Sequence, residues 1–286
     1  MAIKSVQVSV LLEDTKNIVN TKLEAYHGLS FLVTATTIED NKILVLMDTG
    51  PSPDALLNNV DILGVNLQTV DLIFLSHGHY DHTGGLIKIL KRIEKRVLVI
   101  GHPTLFNPKL KIMPSLKFIG SSFSVSNVES AGGILLLATN PIKIAGGITT
   151  TGEVPRITTF EDVSGFWTIK NTKFLEDTMI DDQSLIINIK NKGLIIVSGC
   201  AHSGIINTIK HAQKITKTRK IYAVVGGFHL ISSDDHKIKS TVAELKNFDP
   251  KIIAPCHCTG KKAIKAISDV FENRCYPLHT GDVIKL

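Results

Sequence analysis

The sequence predicts an α/β fold, and three observations support this prediction. Short apolar runs of four to eight residues alternate with helical patterns along almost the whole chain, as in proteins whose helices pack on sheets. The chain has 286 residues, of which 43% are hydrophobic and 20% charged, so a packed core is expected and disorder is excluded as the main state. No apolar run approaches the roughly 20 residues that cross a bilayer, so no membrane span is expected.

The first third of the chain is rich in predicted strands. We predict strands at residues 5–12, 31–36, 42–47 and 71–75. A short helix is predicted over 53–63, where Pro53 and Asp54 suit a first turn. A second helix is predicted over 85–96, because its apolar residues recur at helical spacing while lysines and arginines occupy the other face.

The segment from about residue 103 to 182 is less regular and is rich in Gly, Ser, Thr and Pro. We interpret it as an irregular insertion, with strands and long loops, in a single domain spanning residues 1–286. After it the alternation resumes. We predict strands at 184–189, 193–198, 221–225 and 251–254, and helices at 205–215, 235–248 and 261–271.

Charge, cysteine content and the N-terminal sequence limit the cellular setting. The net charge of +6 permits an anionic ligand without requiring one. The four cysteines are too few for a disulfide framework in a chain of this length, which leaves metal binding, catalysis or burial for them. Residues 1–10 resemble a strand and carry no signal-peptide features, so we expect a cytoplasmic protein.

Seven of the 11 histidines lie within a few residues after an apolar, strand-like run, which for His102 is residues 97–100. They are His77, His79, His82, His102, His202, His229 and His257. The carboxyl ends of neighbouring strands in α/β proteins open onto one crevice, so these side chains are expected to converge. A single case such as His102 is better explained as a hydrogen-bonded structural histidine, but the set predicts one histidine-lined edge.

The densest cluster is the segment His77-Gly-His79-Tyr-Asp81-His82, followed by the glycine pair Gly84-Gly85. A loop that bends into a helix can direct two of these side chains at one cation and two at another. Imidazole and carboxylate together favour Zn²⁺, or iron or manganese, over calcium or magnesium. We therefore predict a centre of one or two metal ions, with the glycines allowing the backbone to turn tightly around it.

This His-x-His-x-Asp-His motif resembles the signature of the metallo-β-lactamase superfamily. The segment Asp48-Thr49-Gly50 is similar to the place where that superfamily carries an aspartate that braces the metal loop. Further segments resemble one branch, named for an archaeal 7,8-dihydropterin-6-methyl-4-(β-D-ribofuranosyl)aminobenzene-5′-phosphate synthase of methanopterin biosynthesis. They are His27-Gly-Leu-Ser30, Asp182-Gln-Ser-Leu185, Ser198-Gly-Cys-Ala-His-Ser-Gly204, Gly226-Gly-Phe-His-Leu230 and Pro255-Cys-His-Cys-Thr-Gly260.

The resemblance spans nearly the whole chain and implies both a fold and a set of ligands. The fold is a four-layer αβ/βα sandwich with the metal site at the edge between two mixed β-sheets. One metal would be bound by His77, His79 and His202, and the other by Asp81, His82 and His257.

The chain departs from the commonest superfamily pattern in two places. No histidine lies shortly before Asp182, where the third histidine of the first metal usually stands. Cys200 stands where a bridging aspartate often ends a strand, so it is either a thiolate ligand or a buried thiol. Cys256 and Cys258 flank His257, and on an extended strand they would point away from it, as poor co-ligands.

Two further roles are assigned to residues around the predicted metal ligands. Asp81 and His229 are the candidate catalytic residues, His229 by contacting substrate or donating a proton, with a supporting role behind the ligands or replacement of a ligand as its alternatives. Arg156 and Asp182 are assigned to binding of the cofactor or substrate. The planar fork of Arg156 suits phosphate or carboxylate, although a solvated loop arginine would also fit the sequence.

These residues predict a metal-dependent hydrolase of an ester, lactone or phosphate bond that uses metal-bound hydroxide. The branch resemblance implies an alternative, a pterin-dependent transferase that displaces pyrophosphate. A nuclease and a non-hydrolytic iron or redox protein are further alternatives. We expect a small, anionic substrate. The lysines are spread over several helix faces with few aromatics between them, which disfavours nucleic acid as a partner, and the oligomeric state is left open.

Overall fold

Strands and helices alternate along the chain in the predicted order, in a computed structural model that describes residues 2–286. The strands are β1 (Ile3–Leu12), β2 (Ser30–Thr37), β3 (Lys42–Met47), β4 (Leu72–Phe74), β5 (Val97–Gly101), β6 (Lys109–Lys111), β7 (Lys117–Phe118), β8 (Gly133–Leu137), β9 (Lys143–Ala145), β10 (Ile148–Thr150), β11 (Phe166–Lys170), β12 (Lys173–Glu176), β13 (Ser184–Ile189), β14 (Gly193–Ser198), β15 (Ile221–Gly226), β16 (Ile252–Pro255) and β17 (Val283–Lys285). The α-helices are α1 (Pro53–Ile62), α2 (Tyr80–Thr83), α3 (Leu86–Ile93), α4 (Val125–Ser130), α5 (Ile205–Thr216), α6 (Asp235–Phe248) and α7 (Lys261–Phe271).

The predicted elements are present with small shifts at their ends. The largest shift is in α3, which ends at Ile93 although the charged residues of its pattern continue to residue 96. Glu94 adopts a left-handed backbone conformation with φ 57°, which ends the helix at this point. The local sequence pattern therefore places the helix correctly but does not show where it stops.

The main sheet is mixed and continuous. Its central path runs β16-β15-β14-β13-β1-β2-β3-β4-β5-β8, and β10, β9 and β17 attach beside it. The two halves meet at β1, which pairs with β2 over its whole length but with β13 only through Ile3 and Ile189. The two mixed sheets that the resemblance implies are thus the halves of one sheet that folds back on itself at this narrow junction.

Three hydrophobic clusters separate four layers. The central cluster lies between the two halves of the sheet and includes Val8 from one half and Val197 from the other. A second cluster joins the first half to α1 and α3, and a third joins the second half to α5, α6 and α7. In β14, Ile195 faces the central cluster and Ile196 faces the helices, as the alternation of a strand buried on both faces requires. The αβ/βα sandwich is confirmed.

Strands also occur throughout the segment 103–182. β8 extends the first half of the main sheet beside β5, and β10 pairs with β13 in the second half. β9 pairs with β10, and the other four strands of this segment form a separate small sheet in the order β12-β11-β6-β7. This small sheet lies next to the carboxyl ends of the main strands, where the predicted metal ligands are.

The longest helix, α6, has 14 residues. None of the helices between residues 2 and 286 combines the length and the apolar character that crossing a bilayer needs.

Candidate metal centre

The loop after β4 carries the His-x-His-x-Asp-His motif. Asp48, which follows β3, fixes this loop through hydrogen bonds to its buried carboxylate. Asp48 is fully buried, and its carboxylate accepts hydrogen bonds from the Ser76 backbone nitrogen and the Ser76 hydroxyl, both at 2.7 Å. It also accepts from His82 Nδ1 at 2.7 Å. The bracing role that the resemblance implies for this aspartate therefore has a clear geometric basis, because one carboxylate fixes both ends of the motif.

Gly85 follows the motif and is needed for close packing rather than for a special backbone conformation. Gly85 is the N-cap of α3 and has φ −81°, a value that any residue can adopt. The tight turn that we expected therefore does not explain why glycine occurs at this position. A Cβ atom at this position would lie 2.3 Å from the backbone oxygen of Thr49. The helix after the motif can thus approach β3 only because position 85 has no side chain.

The first group of ligand atoms comes from His77, His79 and His202, each of which contributes one atom within 4.8 Å of the others. His77 Nε2 lies 3.0 Å from His79 Nδ1. The Nε2 atom of His79 and both ring nitrogens of His202 are buried without a hydrogen-bond partner. Such unpaired polar atoms are costly unless they bind something, so this group is built to receive a ligand.

Burial controls the protonation of these three rings. It lowers the pKa of His77 and His202 well below the usual value and that of His79 to about 3, with a smaller contribution from neighbouring positive charges. The rings are therefore neutral at physiological pH and carry lone pairs. This is the form of histidine that binds metal ions.

The second group consists of Asp81, His82, Cys200 and His257. The Nε2 atoms of the two histidines are 3.3 Å apart, and Cys200 Sγ lies 3.2 Å from one and 3.3 Å from the other. Asp81 Oδ2 lies 3.7 Å from His82 Nε2 and 3.6 Å from His257 Nε2. Four potential ligand atoms thus converge on one point.

Carboxylates behind the two histidines of this group fix the orientation of their rings. His82 Nδ1 donates to Asp48, and His257 Nδ1 donates to Asp14 Oδ1 at 2.6 Å, so both Nε2 atoms face the centre. Burial alone would lower the pKa of His82, but the negative charges of Asp48 and Asp81 outweigh it and raise the pKa to about 9. The surroundings therefore favour a positive charge at this point.

The spacing of these atoms fits zinc. Zn–N bonds of about 2.0–2.1 Å in tetrahedral geometry place two ligand nitrogens roughly 3.3 Å apart. The two histidine pairs are separated by 3.0 Å and 3.3 Å, close to this value. His77, His82 and Cys200 also have ligand atoms within 4.8 Å of one another, so the sulfur lies between the two groups. Burial raises the pKa of the Cys200 thiol well above its usual value, and a neighbouring cation would be needed to deprotonate it.

Cys256 and Cys258 do not point in the same direction. The chain leaves β16 at Pro255 and forms a 3₁₀ turn over His257–Thr259, so the alternation of an extended strand stops before these side chains. Cys256 packs in the central hydrophobic cluster, whereas Cys258 has its sulfur within 4.8 Å of the ligand atoms of Cys200 and His257. The expectation that both thiols face away from the histidine is therefore wrong for Cys258.

The remaining predicted site residues surround His202. The His229 ring centroid lies 4.1 Å from that of His202, and its buried Nδ1 has no hydrogen-bond partner. Arg156 donates from Nη2 to the His202 backbone oxygen at 3.4 Å, and Asp182 accepts from the Ser203 backbone nitrogen at 2.9 Å. Burial raises the pKa of Asp182 to about 6. His229 lines the cavity over the metal ligands, but Arg156 and Asp182 do not, because both contact the loop backbone behind His202.

Asp14 and His27 belong to the site although neither residue is predicted to have a role there. The Asp14 carboxylate accepts from His257 at 2.6 Å and from His27 Nδ1 at 2.8 Å. These hydrogen bonds outweigh burial and hold the pKa of Asp14 well below its usual range. Its position two residues after the end of β1 is the available signal, since the predicted histidine ligands follow strands in the same way.

A cavity of about 360 Å³ lies over the ligand atoms. The small sheet covers it, and the ring of Phe166 lies 5.2 Å from the rings of both His79 and His202. A second cavity of about 480 Å³ adjoins it, and the two share Ser164, His229 and Ser232. The two adjoining cavities therefore have room for more than one chemical group of a bound molecule.

Comparisons with known proteins agree with this geometry. Residues 28–197 match the family model of the metallo-beta-lactamase superfamily. The chain is 36% identical over 291 residues to the 7,8-dihydropterin-6-methyl-4-(beta-D-ribofuranosyl)-aminobenzene-5'-phosphate synthase of Methanocaldococcus jannaschii, with 99% of this chain and 97% of that protein covered. It is 34% identical over 263 residues to the uncharacterized protein MJ0448 of the same organism, with 92% and 94% covered. The crystal structure of Tm1679, described as a metal-dependent hydrolase of the beta-lactamase superfamily, gives a TM-score of 0.80 at 25% identity and covers 98% of this chain and 99% of that one.

Substituting Gly85 tests the close packing behind the metal loop. Gly85→Ala is expected to lower the free energy of unfolding by about 1–3 kcal/mol, because the added methyl group meets backbone that cannot move aside. Gly101→Ala is the control, since its Cβ would first meet a side-chain atom, Leu105 Cδ1, at 3.1 Å. Urea unfolding measures both, and an equal loss in the two variants would contradict the packing role of position 85.

Substituting Cys200 tests whether its sulfur binds the metal. Co²⁺-loaded protein is expected to show a near-ultraviolet sulfur-to-cobalt charge-transfer band that is lost in Cys200→Ser and kept in Cys275→Ser, whose sulfur accepts a hydrogen bond from the Ser268 hydroxyl. Zinc affinity is expected to fall by more than the roughly 10–100-fold seen when groups behind a ligand are removed. A band of full intensity in Cys200→Ser would show that this thiol does not bind the metal and would point to Cys258, whose sulfur also lies near the ligand atoms.

Proposed function

Because the chain belongs to the metallo-β-lactamase superfamily, we propose that it is a metal-dependent enzyme whose two ligand groups hold zinc, or else iron or manganese. The observation that carries the proposal is the convergence of two buried groups of ligand atoms on the floor of one cavity. One group is made only of imidazoles, and the other combines imidazole, thiol and carboxylate. A donor set of this kind suits zinc and first-row transition metals.

The proposed reaction is hydrolysis of an ester, lactone or phosphate bond in a small anionic substrate. A divalent ion held by these residues would make hydroxide available near neutral pH and would offset negative charge on the leaving group. Asp81 presents its carboxylate between His82 and His257, and charge from these rings outweighs burial and keeps its pKa low. Phe166 covers the centre and limits the access of other water.

His229 is the proposed proton donor to the leaving group. It lines both cavities, and its buried Nδ1 has no partner within the protein. Its backbone is in the left-handed region with φ 47°, three residues after β15 ends. A histidine held in such a strained conformation at the junction of two cavities is well placed to contact a substrate that extends into both.

Group transfer with loss of pyrophosphate is the second candidate reaction, and two observations favour it. The full-length archaeal relative is named as a synthase of a dihydropterin compound. The adjoining cavity of about 480 Å³ could also hold a second substrate next to the metal ligands. In this version the second substrate provides the nucleophile, and the residues of the chain align the two substrates and stabilise the departing anion.

Turnover by zinc-loaded protein separates the two reactions. Cleavage of a simple ester, lactone or phosphodiester added alone supports hydrolysis. Release of pyrophosphate only when a dihydropterin pyrophosphate and an aminobenzoate-type acceptor are both present supports transfer and rejects hydrolysis. Either activity must disappear in His79→Ala and persist in His279→Ala, whose ring lies outside the ligand groups, because activity that survives in His79→Ala is contamination.

Substitution of His229 separates proton transfer from metal binding. His229→Gln is expected to lower kcat by about 10²–10⁴-fold, the usual contribution of a positioned acid or base, while bound zinc stays at the wild-type level. Zinc per chain is measured by elemental analysis of the same samples. A loss of zinc in His229→Gln would instead identify this histidine as a ligand.

A further inference from the structure

A row of three side chains crosses the small sheet above the metal centre. Phe166 on β11 pairs in register with Lys111 on β6, and Lys111 pairs in register with Lys117 on β7. Residues directly opposite each other on neighbouring strands project from the same face of a sheet. In agreement with this, all three side chains line the cavity of about 360 Å³ that covers the metal ligands.

The row runs outward from the centre. Its inner end is the half-buried Phe166, whose ring lies 5.2 Å from the rings of His79 and His202. Neighbouring strands lie about 4.8 Å apart, so the two lysines start roughly 5 and 10 Å further out than Phe166. Both lysines are exposed, which places them at the mouth of the cavity.

The two lysines keep their positive charges unneutralised. Neither has a carboxylate oxygen within the 4.0 Å limit of an ion pair anywhere in residues 2–286. Lys109, on the same strand as Lys111, is instead buried and paired with Asp177 and Asp181. Like charges directly opposite each other in a sheet are unfavourable, so this pair costs stability in the absence of an anion.

The other walls of the cavity do not supply a negative charge for these lysines. Asp81 is the one carboxylate among the described residues that line it, and it lies in the second ligand group beside His82 and His257. Apolar side chains such as Ile119 and Ile231 also line the cavity. The cavity therefore presents ligands for metal at its floor, an aromatic ring and aliphatic groups on its walls, and two ammonium groups at its mouth.

We propose that Lys111 and Lys117 form an anion subsite that binds a phosphate or diphosphate group at the end of the substrate remote from the reacting bond. Two lysines one strand apart can each contact a different oxygen of a multiply charged phosphate group, and lysine binds phosphate as a point charge. The inference rests on the proposed function, because the metal ligands define where the reacting bond lies. It specifies the substrate as a phosphorylated small molecule with an apolar portion that packs against Phe166.

Binding of inorganic pyrophosphate to the zinc-loaded protein tests this subsite by isothermal titration calorimetry. The double variant Lys111→Gln/Lys117→Gln is expected to bind pyrophosphate about 10-fold more weakly and with a smaller dependence on salt, because two charge contacts are removed. The matched control is Lys170→Gln/Lys173→Gln. These lysines are also paired in register, on β11 and β12 of the same sheet, but do not line the cavity, so binding should stay within about twofold of wild type.

The outcomes distinguish this inference from the proposed function. Equal pyrophosphate affinity in the wild type and the Lys111/Lys117 double variant would overturn the subsite, as would an equal loss in the control variant. Zinc content and the thermal unfolding midpoint are measured on all three proteins, and both should be retained in the double variant. Lysine-dependent binding in a protein that takes up no zinc would support the subsite and overturn the proposed metal centre.

Discussion

The rest of the site depends on one interaction, which is the attraction of a positive charge to the buried point between His82, His257 and Cys200. The Nδ1 atoms of His82 and His257 donate outward to Asp48 and Asp14, so the Nε2 atoms of both rings face each other at 3.3 Å beside the sulfur of Cys200. Lone pairs at this distance repel unless a proton or a metal ion lies between them. The carboxylates around the rings favour a cation there, and their own burial would be costly without one.

The order of the strands delivers the residues that surround this point. β14, β15 and β16 are parallel neighbours, and their last paired residues are in register, Ser198 with Gly226 and Gly226 with Pro255. The loops that carry Cys200, His229 and His257 therefore leave the sheet side by side. The parallel pairing thus brings three distant sequence segments together on one side of the site. The loop after β4, in the other half of the sheet, forms the opposite side.

This relation explains how much of the site the sequence could predict. The motif and the placement of histidines after strands are local signals, and the structure brings His77, His79, His82, His202 and His257 together around one centre. The roles of Asp14 and Phe166 arise from contacts between segments that are far apart in the chain. The local periodicity of the sequence carries no information on such contacts. The predicted direction of the Cys258 side chain is wrong for a related reason, because a 3₁₀ turn stands where the prediction assumes an extended strand.

The segment before Asp182 supports the first ligand group although the third histidine of that group, His202, comes from another part of the chain. His202 joins His77 and His79 in the first group, and no histidine precedes Asp182 where the superfamily usually has one. Asp181 lies in that segment instead. Its Oδ2 accepts from the Gly78 backbone nitrogen at 2.8 Å, and its Oδ1 is paired at 2.9 Å with the buried Lys109.

This pairing has consequences for both the loop and the ions. Asp181 anchors the backbone between His77 and His79, so the segment still supports the first group although it supplies no ligand to it. Lys109 offsets the negative charge that an aspartate would otherwise add beside the histidines. With Asp177 as a second partner, the buried ammonium of Lys109 is neutralised by carboxylates on both sides, and the segment adds no further ligand to the first group.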